Sequence, residues 1–538
     1  YKQSATVTVK DNTGNLSKTG YSFAGWNTVA DGNGVSYKAG STFVMGAANV
    51  TLYAKWAPFS ITPPAGYSSE AFPTVDPNVE LTLSNFANAS EALMVFLNMS
   101  DTSQMVTWNV DALSTTASRR NNVILRDSLA DYPDHISPEH SFHLMLRQQA
   151  RQQQSLTQAT MPLRASILTA SLNDEQNFNV YVSNSQTETI TAVCKNTGQL
   201  AGTEKYFHIF VDKTKADIAN IDYLVGKIAE NWKSIYAKNR EIFGEEPTGV
   251  LDNGVNATDF YIVISPKVFT AGYFFTGDLN LTSVTPTSNQ KKIFFLQLDS
   301  ILSDDESNRS VNTLSATIAH EFQHMIHFWQ RGSNSDIWLE EAMSGYAEYV
   351  NGYRIETRNN QSKALQINCY FDRVSELQLN AWHSITDSDA IVNSHYGKVF
   401  LFGIWLAQNY GSNGSVISLL RKKTSDVTAI EAFTGKSFNE LYSKFMLAMI
   451  VNNPAVNNDG YGIDGLNLTE NYYFDYNLKP IKLTGPAVDN VSATVESIAR
   501  PAIAAHAAVY VKVIDGDGKD VWLSANLPNG TAMFQLHK

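Results

Sequence analysis

Two histidines and a glutamate lie close together in a stretch of the sequence whose pattern predicts a buried helix. His320 and His324 stand four residues apart, and Glu321 directly follows the first of them. Apolar side chains occupy the other faces of this stretch, at Ile318, Phe322, Met325, Ile326 and Trp329. Side chains four apart on a helix project from one face, so both imidazoles can bind one metal ion. Glu321 can then reach a water molecule at that ion, which is an arrangement for metal-assisted hydrolysis.

The order His-Glu-x-x-His is typical of zinc peptidases, and a zinc site of this kind needs a third protein ligand. Sixteen residues separate His324 from Glu341, which is enough for a loop and a return helix. The stretch Trp338-Leu-Glu340-Glu341-Ala resembles the Trp-Leu-x-Glu-(Gly/Ala) segment of gluzincins. That resemblance implies that Glu341 is the third zinc ligand, and Glu340 would point about one hundred degrees away from it.

Two further residues near this motif have predicted roles outside the ligand set. Glu348 falls on the helix face of Glu341, and we expect it either to hold a ligand histidine or to be a solvated carboxylate. His327 shares the face of His320 but lies about 10 Å from it along the axis, too far to bind the same ion. A metzincin would require Gly and His where this sequence has His327 and Gln330, so that class of zinc peptidase is excluded.

The composition indicates a multidomain globular protein. The chain has 538 residues, a formal net charge of -12 and 43% hydrophobic residues, which predicts three or four domains. The negative charge argues against nucleic acid as a partner, because a nucleic-acid surface requires a basic face. No apolar run in the sequence approaches the length of a membrane-spanning helix. We therefore expect protein or peptide partners and no transmembrane segment.

The N-terminal residues 1–57 contain short strand patterns separated by Gly, Asn and Asp. The segments Gly20-Tyr-Ser-Phe-Ala-Gly-Trp26, Tyr37-Lys-Ala-Gly40 and Val50-Thr-Leu-Tyr-Ala-Lys-Trp56 closely resemble the internalin-type B-repeat, also called the Listeria–Bacteroides repeat. The resemblance implies a β-grasp-like module on an exported or surface-attached protein. Residues 58–76, which include Pro63 and Pro64, are predicted to be a linker.

Three further domains are predicted beyond the linker. Residues 77–200 show mostly strand patterns and are interpreted as a β-sandwich-like domain. A Gln-rich piece at 142–154 interrupts it, either as a helix or as an excursion, with His140 and His143 as surface histidines. Residues 201–455 are predicted to form the peptidase domain, in which 272–275 would be an edge strand that binds substrate backbone. Residues 456–538 return to alternating strand patterns and are predicted to be a C-terminal β-rich domain.

Residues 200–455 resemble the hyicolysin family of bacterial zinc metallopeptidases. His320-Glu-Phe-Gln-His324-Met-Ile, Trp338-Leu-Glu-Glu341 and Tyr396-Gly-Lys-Val-Phe-Leu-Phe402 carry this resemblance. It implies a multidomain α+β protein with a zincin-like (gluzincin) catalytic core, flanked by β-rich domains and the β-grasp-like repeat. It also implies one catalytic Zn²⁺ and secreted endopeptidase activity.

Gluzincins use a Tyr or His donor to stabilise the oxyanion, and this implies a role for Tyr396 or for His395. The sequence leaves this choice open, as it does the choice between two functions. The first is a secreted or cell-surface zinc endopeptidase with Glu321 as general base. The second is a surface adhesin or matrix-binding protein that carries an inactive peptidase fold. All three predicted ligands and the base are present, which favours the enzyme.

Overall fold

The structure is a computed structural model that describes residues 1–10, 16, 21–38, 40–58, 68–73, 78–83, 91–100, 102–104, 106–112, 138–152, 170–298, 307–332, 335–355, 361–384, 387–455, 459–472, 481–492, 496–499, 503–514, 521–526 and 531–537. Helices and several separate sheets alternate along the chain. This mixed architecture is consistent with the predicted multidomain α+β class.

Short strands form two small sheets in the N-terminal segment. They are β1 (Thr6–Thr8), β2 (Tyr21–Asn27), β3 (Ser36–Tyr37), β4 (Thr42–Val44) and β5 (Tyr53–Pro58). β1 pairs with β4, and β2 lies between β3 and β5, all antiparallel. The ring of Phe23 lies edge-on to Trp26 and Trp56, with centroid distances of 5.2 and 5.8 Å. Aromatic rings thus supply the packing of a unit too small for a large core.

The next strands and the first helix precede a six-stranded sheet. They are β6 (Ser68–Pro73), β7 (Asn78–Leu83), β8 (Glu91–Asn98), β9 (Thr107–Ala112) and α1 (Pro138–Gln152). Part of the predicted linker, 59–67 and 74–76, lies outside the described residues. Of its described residues, Pro58 ends β5 and 68–73 form β6, which pairs with a strand near the C-terminus. An edge strand is held by main-chain hydrogen bonds and needs no apolar pattern, so the sequence did not indicate it.

A six-stranded sheet is the framework of the site. Its strands are β10 (Glu175–Tyr181), β11 (Thr187–Gln199), β12 (Tyr206–Asp212), β13 (Phe260–Ser265), β14 (Gly272–Tyr273) and β15 (Lys292–Gln297), with α2 (Ile221–Phe243) between β12 and β13. The spatial order is β10-β11-β12-β13-β15-β14. β12, β13 and β15 run parallel, whereas β14 lies antiparallel to β15 at the sheet edge. The predicted edge strand is therefore present, though it is only two residues long.

Alternating side chains on β13 separate two hydrophobic clusters, one on each face of this sheet. Phe260 and Ile262 belong to the main core, which also contains residues of α2 and of the histidine-bearing helix. Tyr261 and Val263 belong to a smaller cluster that includes Phe142 of α1. Since successive side chains of a strand point to opposite faces, the strand serves both clusters at once. The Gln-rich piece is thus a helix packed against the sheet.

The region after β15 is helical. Its helices are α3 (Ser307–Arg331), α4 (Ile337–Val350), α5 (Gln361–Asp372), α6 (Asp389–Tyr410), α7 (Ile417–Leu420), α8 (Asp426–Thr434) and α9 (Phe438–Val451). The ring of Trp232 in α2 lies 5.1 Å from that of Phe322 in α3, so these two helices pack together over the sheet. Helix α6 passes close to both α4 and α5: an added Cβ at Gly403 or at Gly397 would meet backbone of those helices.

The C-terminal strands complete two sheets that begin far upstream. They are β16 (Asn471–Tyr472), β17 (Ile481–Lys482), β18 (Val488–Ser492), β19 (Glu496–Ala499), β20 (Ala507–Ile514), β21 (Val521–Asn526) and β22 (Thr531–His537). One sheet has the order β18-β20-β8-β22-β6 and another the order β19-β9-β21-β7. Strands from the two predicted β domains, 77–200 and 456–538, therefore pair with each other. In addition, β10 and β11 join the six-stranded sheet across the predicted boundary at residue 200.

Among the residues that the structure describes, no helix combines the length and the apolar character needed to cross a bilayer.

Candidate metal centre

Helix α3 carries the two histidines on one side of an otherwise apolar element. Ile318, Phe322 and Met325 are fully buried in the main core. His320 and His324 project together, with ring centroids 4.7 Å apart, as the four-residue spacing predicts. Burial of the apolar faces fixes the rotation of α3, and this rotation fixes the direction of both imidazoles.

Helix α4 brings Glu341 to the histidines. Its carboxylate oxygens lie 3.3 Å from Nε2 of His320 and 3.5 Å from Nε2 of His324. One ligand atom from each of the three residues lies within 4.8 Å of the other two. Helix α6 sets the position of α4, because an added Cβ at Gly403 would lie 2.3 Å from the carbonyl oxygen of Ala342. The structure thus brings together the three residues that the sequence proposed as ligands.

Two more carboxylates of α4 contact the opposite nitrogens of the same rings. Glu348 Oε1 lies 2.8 Å from Nδ1 of His320, and Glu340 Oε1 lies 2.9 Å from Nδ1 of His324. A proton on each Nδ1 leaves each Nε2 lone pair directed toward Glu341, and this is the tautomer that metal-binding histidines need. Lys363 Nζ also lies 2.9 Å from Glu348. Glu348 is therefore a buried partner of His320 and not a solvated carboxylate.

The side chains present fit a metal ion of the zinc type. Within the described residues, His324 Nε2 is a buried atom without a hydrogen-bond partner. Such an atom costs about 1–3 kcal/mol when it stays unpaired, so a cation bound there would be stabilising. Two imidazole nitrogens and one carboxylate oxygen are also a ligand set that Zn²⁺ takes in proteins.

The titration of these groups reflects their mutual contacts. Burial disfavours protonation of His320, but hydrogen bonds to Glu341 and Glu348 outweigh burial and raise its pKa to about 9. Burial would raise the pKa of Glu341, but His324 and His320 hold it well below its usual range. A cation bound to these three side chains would therefore displace a proton, as metal binding to histidine generally does.

Glu321 is buried beside the edge strand. Its Oε2 accepts hydrogen bonds from the backbone N–H of Phe274, at 2.9 Å, and from Nη2 of Arg147, at 3.2 Å. Burial raises the pKa of Glu321, and the charge of Arg147 opposes this without reversing it. Helix α3 and strand β14 are in direct contact, because an added Cβ at Gly272 would lie 2.5 Å from the Thr317 side chain. The carboxylate of Glu321 therefore lies directly beside the residues that follow β14.

The rings of Tyr396 and His395 in α6 both contact Trp382, at centroid distances of 5.1 and 5.7 Å, but their polar atoms have different surroundings. Tyr396 is close enough to Glu341 and Glu321 that burial, together with their negative charges, raises its pKa well above the usual range. His395 instead faces a loop: its Nδ1 lies 3.2 Å from the carbonyl oxygen of Ala381 and 2.9 Å from Nζ of Lys398. Of the two candidates, only Tyr396 therefore has an environment shared with the carboxylates.

His327 lies outside the group of three. It is buried, and its Nδ1 lies 3.3 Å from Nε2 of Gln323. Burial lowers its pKa to about 4, so the ring is neutral at physiological pH. This placement agrees with the prediction that His327 lies too far from His320 along α3 to bind the same ion.

Comparison with known families identifies the N-terminal segment. Residues 1–55 match the Listeria-Bacteroides repeat domain. A protein named as a Gly-rich membrane protein in Evansella cellulosilytica is 49% identical over 61 residues, which are 11% of this chain and 7% of that protein. The repeat predicted from the aromatic spacing is thereby confirmed.

The chain is also similar to a neutral metalloprotease, ShpI of Staphylococcus hyicus. The two are 25% identical over 232 residues, which cover 39% of this chain and 49% of that protein. The chain thus spans about half the length of the metalloprotease that it matches. This partial similarity suggests a metallopeptidase.

Sequence reasoning missed two residues at the site. Glu340 was assigned no role because it points away from Glu341, yet that direction takes it to His324. Arg147 belongs to the Gln-rich piece, 174 residues from Glu321 in sequence, and no local pattern connects the two. Similarly, His143 was predicted to be a surface histidine, but it is half-buried and contacts Thr270 at 3.0 Å. The side chain of His140 lies outside the described residues.

Proposed function

We propose that this chain is a zinc-dependent endopeptidase of the gluzincin class that acts outside the cell. The observation that carries the proposal is the meeting of His320, His324 and Glu341 within 4.8 Å, with Glu321 next to them on α3. The partial similarity to a staphylococcal metalloprotease supports it. The assignment to the hyicolysin family is part of the proposal.

His320, His324 and Glu341 would hold the Zn²⁺ ion. When bound, the ion would act as a Lewis acid that polarises the substrate carbonyl and makes water nucleophilic at neutral pH. Glu321 would take the proton from the attacking water and give it to the departing amine. Glu321 suits both steps because burial raises its pKa, which makes its carboxylate a stronger base toward the attacking water.

The edge of the six-stranded sheet would hold the substrate. β14 pairs with β15 on one side only in the described sheet. Its other side could therefore hydrogen-bond an extended peptide, by strand addition. Phe274 follows β14 and already donates its N–H to Glu321, so a peptide there would pass the general base. The Tyr396 hydroxyl would donate a hydrogen bond to the oxyanion from α6. Protein and peptide chains in extended form are thus the proposed substrates.

The repeat domain supports a location outside the cell. Its relative in Evansella cellulosilytica is named as a membrane protein, and the repeat resembles modules of bacterial surface proteins. We propose that the chain is secreted or associated with the cell surface through this module. Fractionation of cells that produce the full-length protein, with and without residues 1–57, tests this location.

The function is tested by comparing Glu321→Gln with the wild type for zinc content and for cleavage of casein and of an unstructured peptide. Glu321→Gln should bind zinc as the wild type does but lose cleavage by about 10²–10⁴-fold, the usual contribution of a general base. His324→Ala should lose zinc. Glu230→Gln is the matched control, since Glu230 is an exposed carboxylate of α2 that pairs with Lys227. If the wild type binds zinc but cleaves neither substrate, the adhesin interpretation is correct instead.

A further inference from the structure

A guanidinium from a distant part of the chain lies inside the candidate site. Arg147 of α1 is only 2% exposed. Its Nη2 lies 3.2 Å from Oε2 of Glu321, and its Nε lies 3.5 Å from Glu341 Oε1 and 3.9 Å from Glu340 Oε1. One cation therefore contacts the proposed base, a proposed metal ligand and the partner of a ligand histidine.

Helix α1 is attached to the edge of the sheet where the substrate would lie. His143 Nε2 is 3.0 Å from Oγ1 of Thr270, just before β14. The ring of Phe142 lies edge-on to that of Tyr273 in β14, with a centroid distance of 5.3 Å. Phe142 is fully buried in the small cluster beneath this edge. The helix thus combines an apolar anchor beside β14 with a cation that reaches the base.

We propose that α1 is an intramolecular inhibitor that closes the substrate cleft, with Arg147 as its central contact. This inference rests on the proposed function and concerns the regulation of the same site. The guanidinium occupies the space next to Glu321 through which a substrate backbone would pass. It also holds the carboxylate of Glu321 in an ion pair, so that the base is not directed at water. Cleavage requires α1 to move away from β14.

The polar contacts of Arg147, unlike the apolar anchor of α1, are suited to reversible closure. Within the described residues, Nε of Arg147 is buried without a hydrogen-bond partner. A buried ion pair contributes little net stability because its desolvation offsets much of the attraction. The guanidinium is therefore not locked in place by a complete set of hydrogen bonds. If α1 lifts, Glu321 and Glu341 regain access to water and to substrate.

The test uses the full chain with Arg147→Met, Arg147→Gln and the control Gln148→Met, which changes an exposed neighbour on α1. Two quantities are measured after folding is verified by thermal unfolding: kcat/KM for an unstructured peptide with zinc present, and zinc affinity by competition with a chromophoric chelator. Apparent substrate affinity falls in proportion to the fraction of open molecules. If about one wild-type molecule in ten is open, loss of Arg147 raises kcat/KM about tenfold. Zinc affinity should rise as well, because a positive charge near Glu341 is removed.

The outcomes separate this inference from the proposed function. If Arg147→Met and Arg147→Gln cleave no faster than Gln148→Met, the cleft is open in the wild type and the inference is wrong. Slower cleavage with unchanged zinc binding would also overturn it, since Arg147 would then position substrate. If the double variant Arg147→Met/Glu321→Gln still cleaves, the proposed role of Glu321 fails. If every variant binds zinc and none cleaves, the proposed endopeptidase function fails, and the inference that rests on it fails with it.

Discussion

The two carboxylates that hold the histidine rings give the sharpest quantitative prediction. Glu348→Gln and Glu340→Gln each replace an anionic partner of Nδ1 with a neutral amide of the same shape. Substitution of such partners typically lowers metal affinity 10–100-fold, or by about 1.4–2.7 kcal/mol. The surroundings of the two carboxylates differ, so the structure predicts which loss is larger.

Glu348→Gln should fall near the hundredfold end of this range. Glu348 is the carboxylate that pairs with Lys363, at 2.9 Å, and Lys363 is itself buried. The neutral variant therefore leaves an uncompensated ammonium close to His320, and this charge repels a metal ion. Glu340→Gln should fall near tenfold, because Ser344 Oγ lies 3.2 Å from Nδ1 of His324 and remains as a second partner.

Zinc affinity is measured by titration against a chromophoric chelator at neutral pH, and thermal unfolding of the metal-free proteins verifies that each variant folds. Glu230→Gln removes the same charge from the exposed face of α2, and its zinc affinity should equal that of the wild type. The reasoning is refuted if Glu348→Gln binds zinc as tightly as Glu230→Gln. It is also refuted if Glu340→Gln loses more affinity than Glu348→Gln.

Two further predictions concern packing and pH. Gly403→Ala should weaken both zinc binding and stability, since its Cβ would lie 2.3 Å from the Ala342 carbonyl oxygen next to Glu341. Gly226→Ala in α2 has no atom within 4 Å of its Cβ and should stabilise the protein by about 0.5–1 kcal/mol in urea unfolding. If Gly403→Ala proves more stable than Gly226→Ala, this reasoning is wrong. Burial raises the pKa of Asp278 to about 7, so between about pH 4 and pH 7 the folded state keeps a proton that the unfolded state has released. Stability falls there by about 1.4 kcal/mol per pH unit as pH rises. Asp278→Asn should abolish this contribution, so its advantage over the wild type should grow from pH 5 to pH 8, and a constant difference would disprove it.

What the sequence revealed depended on how far apart the interacting residues lie in the chain. The spacing of His320 and His324 is local, so helix periodicity alone placed both rings on one side. Glu341 required a resemblance to gluzincins, because its approach depends on the close contact between α6 and α4. Arg147 could not be found, since its contact with Glu321 spans 174 residues. Helix periodicity carries no information about which distant elements will meet.

The same limit explains the β regions. Alternation predicted strands in 92–97 and 508–514, and both are present as parts of β8 and β20. That these strands are neighbours in one sheet has no local signal, because a strand's side-chain pattern reports its buried face and not its partner. The sequence therefore separated them into two predicted domains. Strand pairing across more than four hundred residues joins them, with Ala508 opposite Leu97.

The charges around the candidate site bear on how closure and metal binding coexist. Four carboxylates are buried there, at Glu321, Glu340, Glu341 and Glu348, together with the cations Arg147 and Lys363. With all of these ionised, two negative charges remain, which a divalent ion balances. The closed arrangement of α1 is therefore compatible with a bound ion, although Arg147 weakens its binding. Metal binding alone therefore does not open the cleft. Opening requires either an extended peptide that competes with α1 for the edge at β14 or the removal of α1. Once the site is saturated with zinc, more zinc should therefore not raise the low kcat/KM of the wild type. At the same zinc saturation, Arg147→Met should still have the higher kcat/KM.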